Sequence, residues 1–153
     1  PVRAAIRRST PMRRARSSLG EEQTMGFWIF MLVMVLLLPA SMLGLGRWFM
    51  KQAPGKINYV FGYRTRRSMK NPETWAFAHH YFGRIWYICG LVSLPLSIAA
   101  MLLVLGRGTD AVSAVGSVLC CVQLIPVVCA IIPTERALRR EFDDDGNRRS
   151  SEK

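Results

Sequence analysis

The sequence predicts an all-α membrane protein, a bundle of three transmembrane helices with a basic loop after the first helix and a short interfacial helix near the carboxyl end. Three long runs, 26–46, 85–105 and 111–133, contain no charged residue. At about 1.5 Å of rise per residue, each run crosses the roughly 30 Å hydrocarbon core of a bilayer. Soluble core helices usually keep a polar face, and these runs are apolar on every face, which disfavours a soluble fold. The first run is also too long for the apolar part of a signal peptide.

The second helix is predicted to begin ahead of its apolar run. Asn71 followed by Pro72 is a strong helix start, with Asn as the N-cap and Pro at the first helical position. Trp75, Ala78 and Phe82 then recur at spacings of three and four, which predicts an apolar stripe facing the bundle or the interface. The transmembrane helices are therefore predicted at about 26–46, 72–105 and 111–133.

Residues 1–24 form a basic extension that the sequence predicts to be disordered or non-native. The segment contains six arginines and two acids, Glu21 and Glu22. Met25 stands immediately before the first apolar run, which indicates that translation natively starts there; intact-mass measurement on the native protein tests this start site. An Arg-rich, acid-poor organellar targeting peptide is the competing interpretation. The transmembrane domain is predicted to cover 25–142.

The carboxyl end is predicted to be an amphipathic helix followed by a charged tail. Within 134–142, Leu138 and Phe142 are four residues apart, and basic residues beside them favour the membrane surface. The tail, 143–153, contains a near match to a calcium-binding EF-hand loop, but its first ligand position is Glu141 and a basic residue, Arg148, occupies a usually apolar position. A solvated, charged tail is the preferred interpretation.

Basic residues are unevenly distributed among the polar segments. The first loop contains eight Lys and Arg residues against one acid, Glu73, whereas the second loop contains only Arg107 and Asp110. Six further basic residues follow Pro133. Under the positive-inside rule the first loop and the carboxyl terminus are cytoplasmic, and an odd number of crossings leaves the amino terminus outside. The net charge of +11 is therefore interpreted as a topology signal rather than as direct nucleic-acid binding.

The sequence predicts no catalytic residue, metal site or cofactor. All four cysteines lie inside apolar runs, where they act as small buried hydrophobes. His79 and His80 are adjacent and have no metal-ligating partner one helical turn away, so interfacial histidines on a helix are the preferred interpretation. Glu73 has no second carboxylate in its loop for acid–base work. We therefore expect a protein that is not an enzyme.

Gln123, near the middle of the third apolar run, is the strongest polar group predicted at membrane depth. We expect it to hydrogen-bond to a neighbouring helix rather than to line a conduction path. The alternative to a binding protein is a small transporter or transporter subunit. Because three helices rarely enclose a pathway, this alternative requires a homo-oligomer, which crosslinking in membranes tests.

The segment from Asn58 to Gly83 separates the first two apolar runs and is both basic and aromatic. It reads NYVFGYRTRRSMKNPETWAFAHHYFG. Aromatic residues such as Tyr59 and Phe61 suit the headgroup region, and the arginines and lysine that follow would meet anionic lipid phosphates. Gly62 is expected to make a turn that a larger residue could not make cheaply. Generic lipid anchoring is one interpretation of the segment.

The order of residues in this segment suggests more than anchoring. GYRTRRSMKN followed by TWAFAHHYFG strongly resembles the signature of the SdpI family of bacterial membrane proteins, in which a Gly-x-Arg-Thr loop precedes an Asn, Trp, Ala and Gly pattern that opens a membrane helix. The matching residues are Asn58, Gly62, Arg64, Thr65, Asn71, Trp75, Ala78 and Gly83. The tail TERALRREFDDDGN also resembles the ending of short family members, so the resemblance covers 25–149.

The resemblance implies a multi-pass protein of the bacterial plasma membrane. The family takes its name from an immunity protein that protects its producer against a secreted toxic peptide and can also hold a cytoplasmic repressor at the membrane. Immunity members carry further membrane segments ahead of the signature half. Our first hypothesis is therefore a binding protein in which Arg64 and Thr65, backed by Arg66, Arg67 and Trp75, recognise an anionic lipid, a peptide or a regulator.

Overall fold

Four helices form the described structure, a computed structural model that covers residues 2–52, 57 and 62–149, with side chains from residue 20 onward. The helices are α1 (Val2–Lys51), α2 (Pro72–Leu103), α3 (Thr109–Cys129) and α4 (Ile131–Glu141). Three helical segments are long and apolar enough to cross a membrane, namely 20–51, 72–103 and 109–141. The predicted all-α bundle of three membrane-spanning helices is confirmed.

The helix boundaries differ most from the predicted ones at two places, and elsewhere by at most five residues. The first apolar run belongs to a continuous helix that begins at Val2, where the sequence predicted a disordered or non-native segment; alanine and arginine, which are common there, have high helix propensity. The third run is divided at Ala130 into α3 and α4. Pro133 explains this division, because it has no N–H to donate to the Cys129 carbonyl and its ring crowds that group. The short helix predicted over 134–142 is α4, which begins three residues earlier than predicted.

The predicted start of α2 is confirmed in detail. The backbone N–H of Thr74 donates to Asn71 Oδ1 at 2.8 Å, and the N–H of Asn71 donates to Thr74 Oγ1 at 3.2 Å. These two bonds satisfy donors that a helix terminus otherwise leaves unpaired. The predicted apolar stripe is also confirmed, because Trp75, Ala78 and Phe82 are all buried.

Close packing of α1 against α2 depends on glycine. A Cβ atom added at Gly46 would lie 2.7 Å from the Gly83 carbonyl oxygen and 2.7 Å from the Tyr87 nitrogen. A Cβ at Gly90 would lie 3.0 Å from the Pro39 carbonyl oxygen. The two backbones therefore approach each other directly along this interface, as small residues allow in membrane helix pairs.

Polar side chains add hydrogen bonds between the helices. Gln123 Nε2 donates to Ser97 Oγ at 2.7 Å, which joins α3 to α2 and confirms the predicted role of Gln123. Trp28 Nε1 donates to the Met101 carbonyl at 2.8 Å and joins α1 to α2. The end of the bundle near Trp28 and Met101 lies opposite the end where the first loop packs.

Candidate functional site

The loop before α2 turns sharply at Gly62. This residue has φ of +117°, a backbone conformation that favours glycine. A Cβ atom there would lie 2.2 Å from His79 Nε2, so the space beside the backbone is already occupied. The predicted glycine turn is confirmed, and its neighbour is a histidine side chain from the second turn of α2.

His79 fixes the loop to the helix through both ring nitrogens. The backbone N–H of Tyr63 donates to His79 Nε2 at 2.9 Å, and His79 Nδ1 lies 2.8 Å from the Trp75 carbonyl oxygen. Because Nε2 accepts a hydrogen bond, the proton is on Nδ1 and the ring is neutral. The side chain is completely buried. His79 is therefore a structural link between loop and helix, a role that the sequence did not predict.

A compact turn over 65–68 presents the loop arginines. Ser68 Oγ accepts from the Thr65 N–H at 2.9 Å and donates to the Tyr63 carbonyl at 2.9 Å. The Ser68 N–H donates in return to Thr65 Oγ1 at 3.2 Å. Arg66 and Arg67 occupy the tip of this turn, between its two hydroxyl residues. The reciprocal bonds hold the tip in one conformation, as side-chain oxygens do in turns.

The tail beyond α4 folds into a closed turn that the sequence did not predict, and most of its charged side chains are exposed, as expected of a solvated tail. Phe142 and Arg148 form an isolated antiparallel bridge, and Gly146 between them has φ of +88°. The Asp143 carboxylate accepts the N–H groups of Asn147 at 2.8 Å and Asp145 at 2.9 Å. The backbone bond from Asn147 is the main reason that the pKa of Asp143 lies below its usual value. We call the segment 142–149 the tail turn.

The tail turn docks on the loop and on the start of α2. Asn71 Nδ2 donates to the Gly146 carbonyl at 2.7 Å, and Arg67 forms an ion pair with Asp144 at 2.5 Å. Phe142 is buried and packs edge-to-face on Phe77, with ring centroids 5.4 Å apart. Asn71 therefore caps α2 with its oxygen and holds the tail with its nitrogen.

Tyr63 connects the loop to α4. Its hydroxyl donates to Glu135 Oε1 at 3.0 Å and lies 3.4 Å from the Ile131 carbonyl oxygen. Burial, with the nearby Glu135 charge as the second cause, raises the pKa of the Tyr63 hydroxyl well above its usual value. The hydroxyl therefore stays protonated and keeps donating to Glu135 at any physiological pH.

The loop, α4 and the tail turn together enclose a cleft of about 550 Å³. We call it the basic cleft, and its lining residues are Arg66, Arg67, Lys70, Glu135, Arg139 and Asp144. Four of these residues are cationic and two are acidic. Both acids are engaged, Asp144 by Arg67 and Glu135 by Tyr63. Arg66, Lys70 and Arg139 are exposed and have no acid partner in the described part of the chain. The cleft therefore has unpaired positive charge suited to an anion.

Known proteins resemble the loop and the helices that follow it, and the family match ends before Glu135, Arg139 and Asp144 of the basic cleft. The sequence model of the SdpI/YfhL protein family matches residues 55–134, which include the loop, α2, α3 and the first residues of α4. A Bacillus subtilis (strain 168) protein described as "Uncharacterized protein YfhL" is 35% identical over 101 residues, which are 63% of this chain and 78% of the relative. The chain belongs to the SdpI/YfhL protein family. No solved structure matches this family member.

The structure divides the SdpI/YfhL signature residues into two groups. Trp75, Ala78 and Gly83 are buried in α2, and Asn71 caps that helix, so these residues position the loop. The other described signature residues, Gly62, Arg64 and Thr65, lie on the loop itself, where Arg64 is exposed and the other two are half-buried. Arg66 and Arg67 line the basic cleft, whereas Arg64 and Thr65, together with Gly62, line a second depression on another side of the loop. Asn58 lies outside the described residues, as do Tyr59 and Phe61.

Several residues of the basic cleft were not predicted from the sequence. Glu135, Arg139 and Asp144 come from α4 and the tail turn, more than 60 residues beyond the loop in sequence. The spacing of Leu138 and Phe142 was the available signal, because both are buried in the same apolar cluster as Tyr63. Among the residues searched, no group of His, Cys, Asp and Glu side chains could hold a metal ion.

Substitution of Asn71 separates its two roles. Asn71→Ala is expected to lower the free energy of unfolding by roughly 1–3 kcal/mol, because it removes an N-cap and the hydrogen bond to Gly146. Asn71→Asp keeps an N-cap acceptor but cannot donate to the Gly146 carbonyl. We expect Asn71→Asp to retain most of the thermal stability and still to increase amide hydrogen exchange across the tail turn. Equal exchange in wild type and Asn71→Asp would contradict the docking contact.

Proposed function

We propose that this SdpI/YfhL family member is a membrane-embedded binding protein of the bacterial plasma membrane, whose basic cleft recognises an acidic group on a partner. The partner is a membrane-active toxic peptide, which makes the protein an immunity factor, or a cytoplasmic repressor held at the membrane. The basic cleft carries the proposal, because its cations exceed its acids and both acids already have partners.

The rigidity of the loop supports binding at this position. Arg66 and Arg67 sit on a turn whose ends are bonded to each other, and the turn is bonded to α2 through Tyr63 and His79. Side chains presented from a fixed backbone lose less entropy on binding than side chains of a mobile loop. Arginine also provides planar, bidentate contacts to carboxylate or phosphate, which lysine does not.

The arrangement of the charges supports a cytoplasmic position for the cleft. The loop and the tail turn pack together at one end of the bundle, and within residues 25–149 basic residues are concentrated there; the six arginines of residues 1–24 are not part of this end. The second loop, Val104 to Gly108, lies at the other end and contains one basic residue, Arg107. With the positive-inside rule, this asymmetry favours a cytoplasmic loop and tail and an external amino terminus.

Charge reversal in the cleft tests the proposal in cells. Deletion of the gene is expected to raise sensitivity to at least one peptide in a panel of membrane-active peptides, and the wild-type gene should restore resistance. Arg66→Glu combined with Arg139→Glu should fail to restore it, because losing charge-assisted contacts to an acidic group lowers affinity about tenfold or more. Arg84→Glu, an exposed charge on α2 outside the cleft, is the matched control and should restore resistance.

If the partner is a cytoplasmic repressor, the same variants test the proposal by photo-crosslinking instead of by peptide sensitivity. A photo-crosslinking amino acid at position 70 should form a specific adduct with a cytoplasmic protein, and the Arg66→Glu, Arg139→Glu background should abolish that adduct. Unchanged peptide sensitivity in the deletion strain, together with no adduct that depends on the cleft charges, would reject the binding proposal in both versions.

A further inference from the structure

A second depression, separate from the basic cleft, lies between the loop and the membrane-spanning helices. It has a volume of about 570 Å³, within the range of pockets that hold small ligands. Its walls are mainly apolar and aromatic. The residues that decide its character are Phe49, Phe82, Trp86, Val128, Ile131 and Arg64. We call it the lateral groove.

The lateral groove opens toward the lipid. Val128 is 62% exposed and Ile131 is 43% exposed, and both lie in a segment apolar enough to cross a membrane. Phe82, on the inner wall, is buried. The groove therefore combines an apolar interior with a mouth that faces acyl chains, so its natural occupant in a bilayer is a hydrocarbon chain rather than water.

The loop end of the lateral groove carries a positive charge. Arg64 is the one charged residue among the described residues that line the groove, and it is exposed with no acid partner in the described structure. The Tyr63 hydroxyl is already bonded to Glu135 and so does not compete with Arg64 for an anion.

We propose that the lateral groove binds one anionic phospholipid, with an acyl chain in the groove and the phosphate on the Arg64 guanidinium. The charge of Arg64 favours an anionic lipid over a zwitterionic one, because a zwitterionic headgroup brings its own cation beside Arg64 and an anionic headgroup does not. This site is independent of the basic cleft, whose lining residues do not include Arg64.

Native mass spectrometry of the full chain tests the headgroup contact. The protein is released from vesicles of equal phosphatidylglycerol and phosphatidylcholine, and the lipid that stays bound is identified. Wild type should retain one phosphatidylglycerol in preference to phosphatidylcholine. Arg64→Gln should lower that preference about tenfold, the effect of losing one charge-assisted contact, with Arg64→Lys in between. Arg84→Gln removes an exposed charge outside the groove and should behave as wild type.

Filling the groove tests the acyl-chain contact. Val128→Trp should abolish retention of both lipids, whereas Val122→Trp, another exposed position on α3 that lies outside the groove, should leave retention unchanged. Glycerol phosphate without acyl chains should not displace the bound lipid at concentrations that saturate a surface anion site. Equal retention of the two lipids by wild type, equal preference in Arg64→Gln and wild type, or displacement by glycerol phosphate would each overturn the proposal. Arg66→Glu should not affect lipid retention, so failure of the basic cleft and failure of this site are distinguishable.

Discussion

Gly62→Ala is expected to lower the free energy of unfolding by roughly 2–6 kcal/mol. Two costs add: a residue with a Cβ is strained by about 1–3 kcal/mol at a positive φ, and overpacking adds about 1–3 kcal/mol. The backbone at Gly62 has φ of +117°, and the new methyl group would lie 2.2 Å from His79 Nε2. Displacing His79 also breaks its bond with the Tyr63 N–H. Thermal unfolding in detergent, followed by tryptophan fluorescence, measures the loss.

Two controls separate the causes of this loss. Gly106→Ala also places a Cβ at a positive φ, +74°, which is nearer the left-handed helical region, and nothing lies within 4 Å of its added Cβ. Its cost should therefore be the conformational part alone, about 1–3 kcal/mol. Combining Gly62→Ala with His79→Ala removes the clash, so the double variant should lose less stability than the sum of the two single variants. Strict additivity would contradict a direct contact between Gly62 and His79.

The membrane-spanning helices could be predicted because their signal is local. An uncharged run such as 26–46 can be assigned to the membrane from its own residues, because a long apolar helix is stable in lipid whichever helices it packs against. The start of α2 was predictable for the same reason, since the capping contacts of Asn71 reach only to Thr74. The division between α3 and α4 was predicted after Pro133 and lies at Ala130, because the apolar run continues as far as Pro133 without a change in composition.

The tail turn could not be predicted because its stability depends on contacts with a distant segment. The Asp143 turn is local, but the bonds that dock it join Asn71 to Gly146 and Arg67 to Asp144. A charged sequence in isolation is well solvated, which is why a solvated tail was expected. Packing of Phe142 against Phe77 also buries apolar surface, which stabilises the docked tail turn in addition to the ion pair and the hydrogen bond.

Only part of the candidate site was predicted, because some of its residues also come from distant segments of the chain. The loop arginines were identified, but three residues of the basic cleft come from α4 and the tail turn. The linking role of His79 was not predicted because its partners, the Tyr63 N–H and the Trp75 carbonyl, are backbone groups, and a side-chain motif does not reveal them. The signature therefore contains two kinds of residue: some build the turn, and others are held by the turn at the surface.

Gly46→Val is expected to destabilise the bundle by about 3 kcal/mol or more, the upper end of what overpacking costs. A Cβ at this position would meet the Gly83 carbonyl oxygen and the Tyr87 nitrogen, each at 2.7 Å. Both are backbone atoms, so no side-chain rotation can relieve the contact and the two helices must separate. Separation would also withdraw Phe49 from the apolar cluster that holds Tyr63, so the loop should loosen together with the helix pair.

Gly44→Val is the matched control for this prediction, because it lies two residues away on α1 and nothing is within 4 Å of its added Cβ. Its thermal midpoint should be close to that of wild type, whereas Gly46→Val and Gly83→Val should both lower the midpoint strongly. Hydrogen exchange of the loop amides should rise in Gly46→Val and not in Gly44→Val, because only the former moves Phe49. Similar midpoints for the two α1 variants would mean that α1 and α2 do not meet backbone to backbone at Gly46, and the aromatic support of the loop would then have to come from α2 and α4 alone.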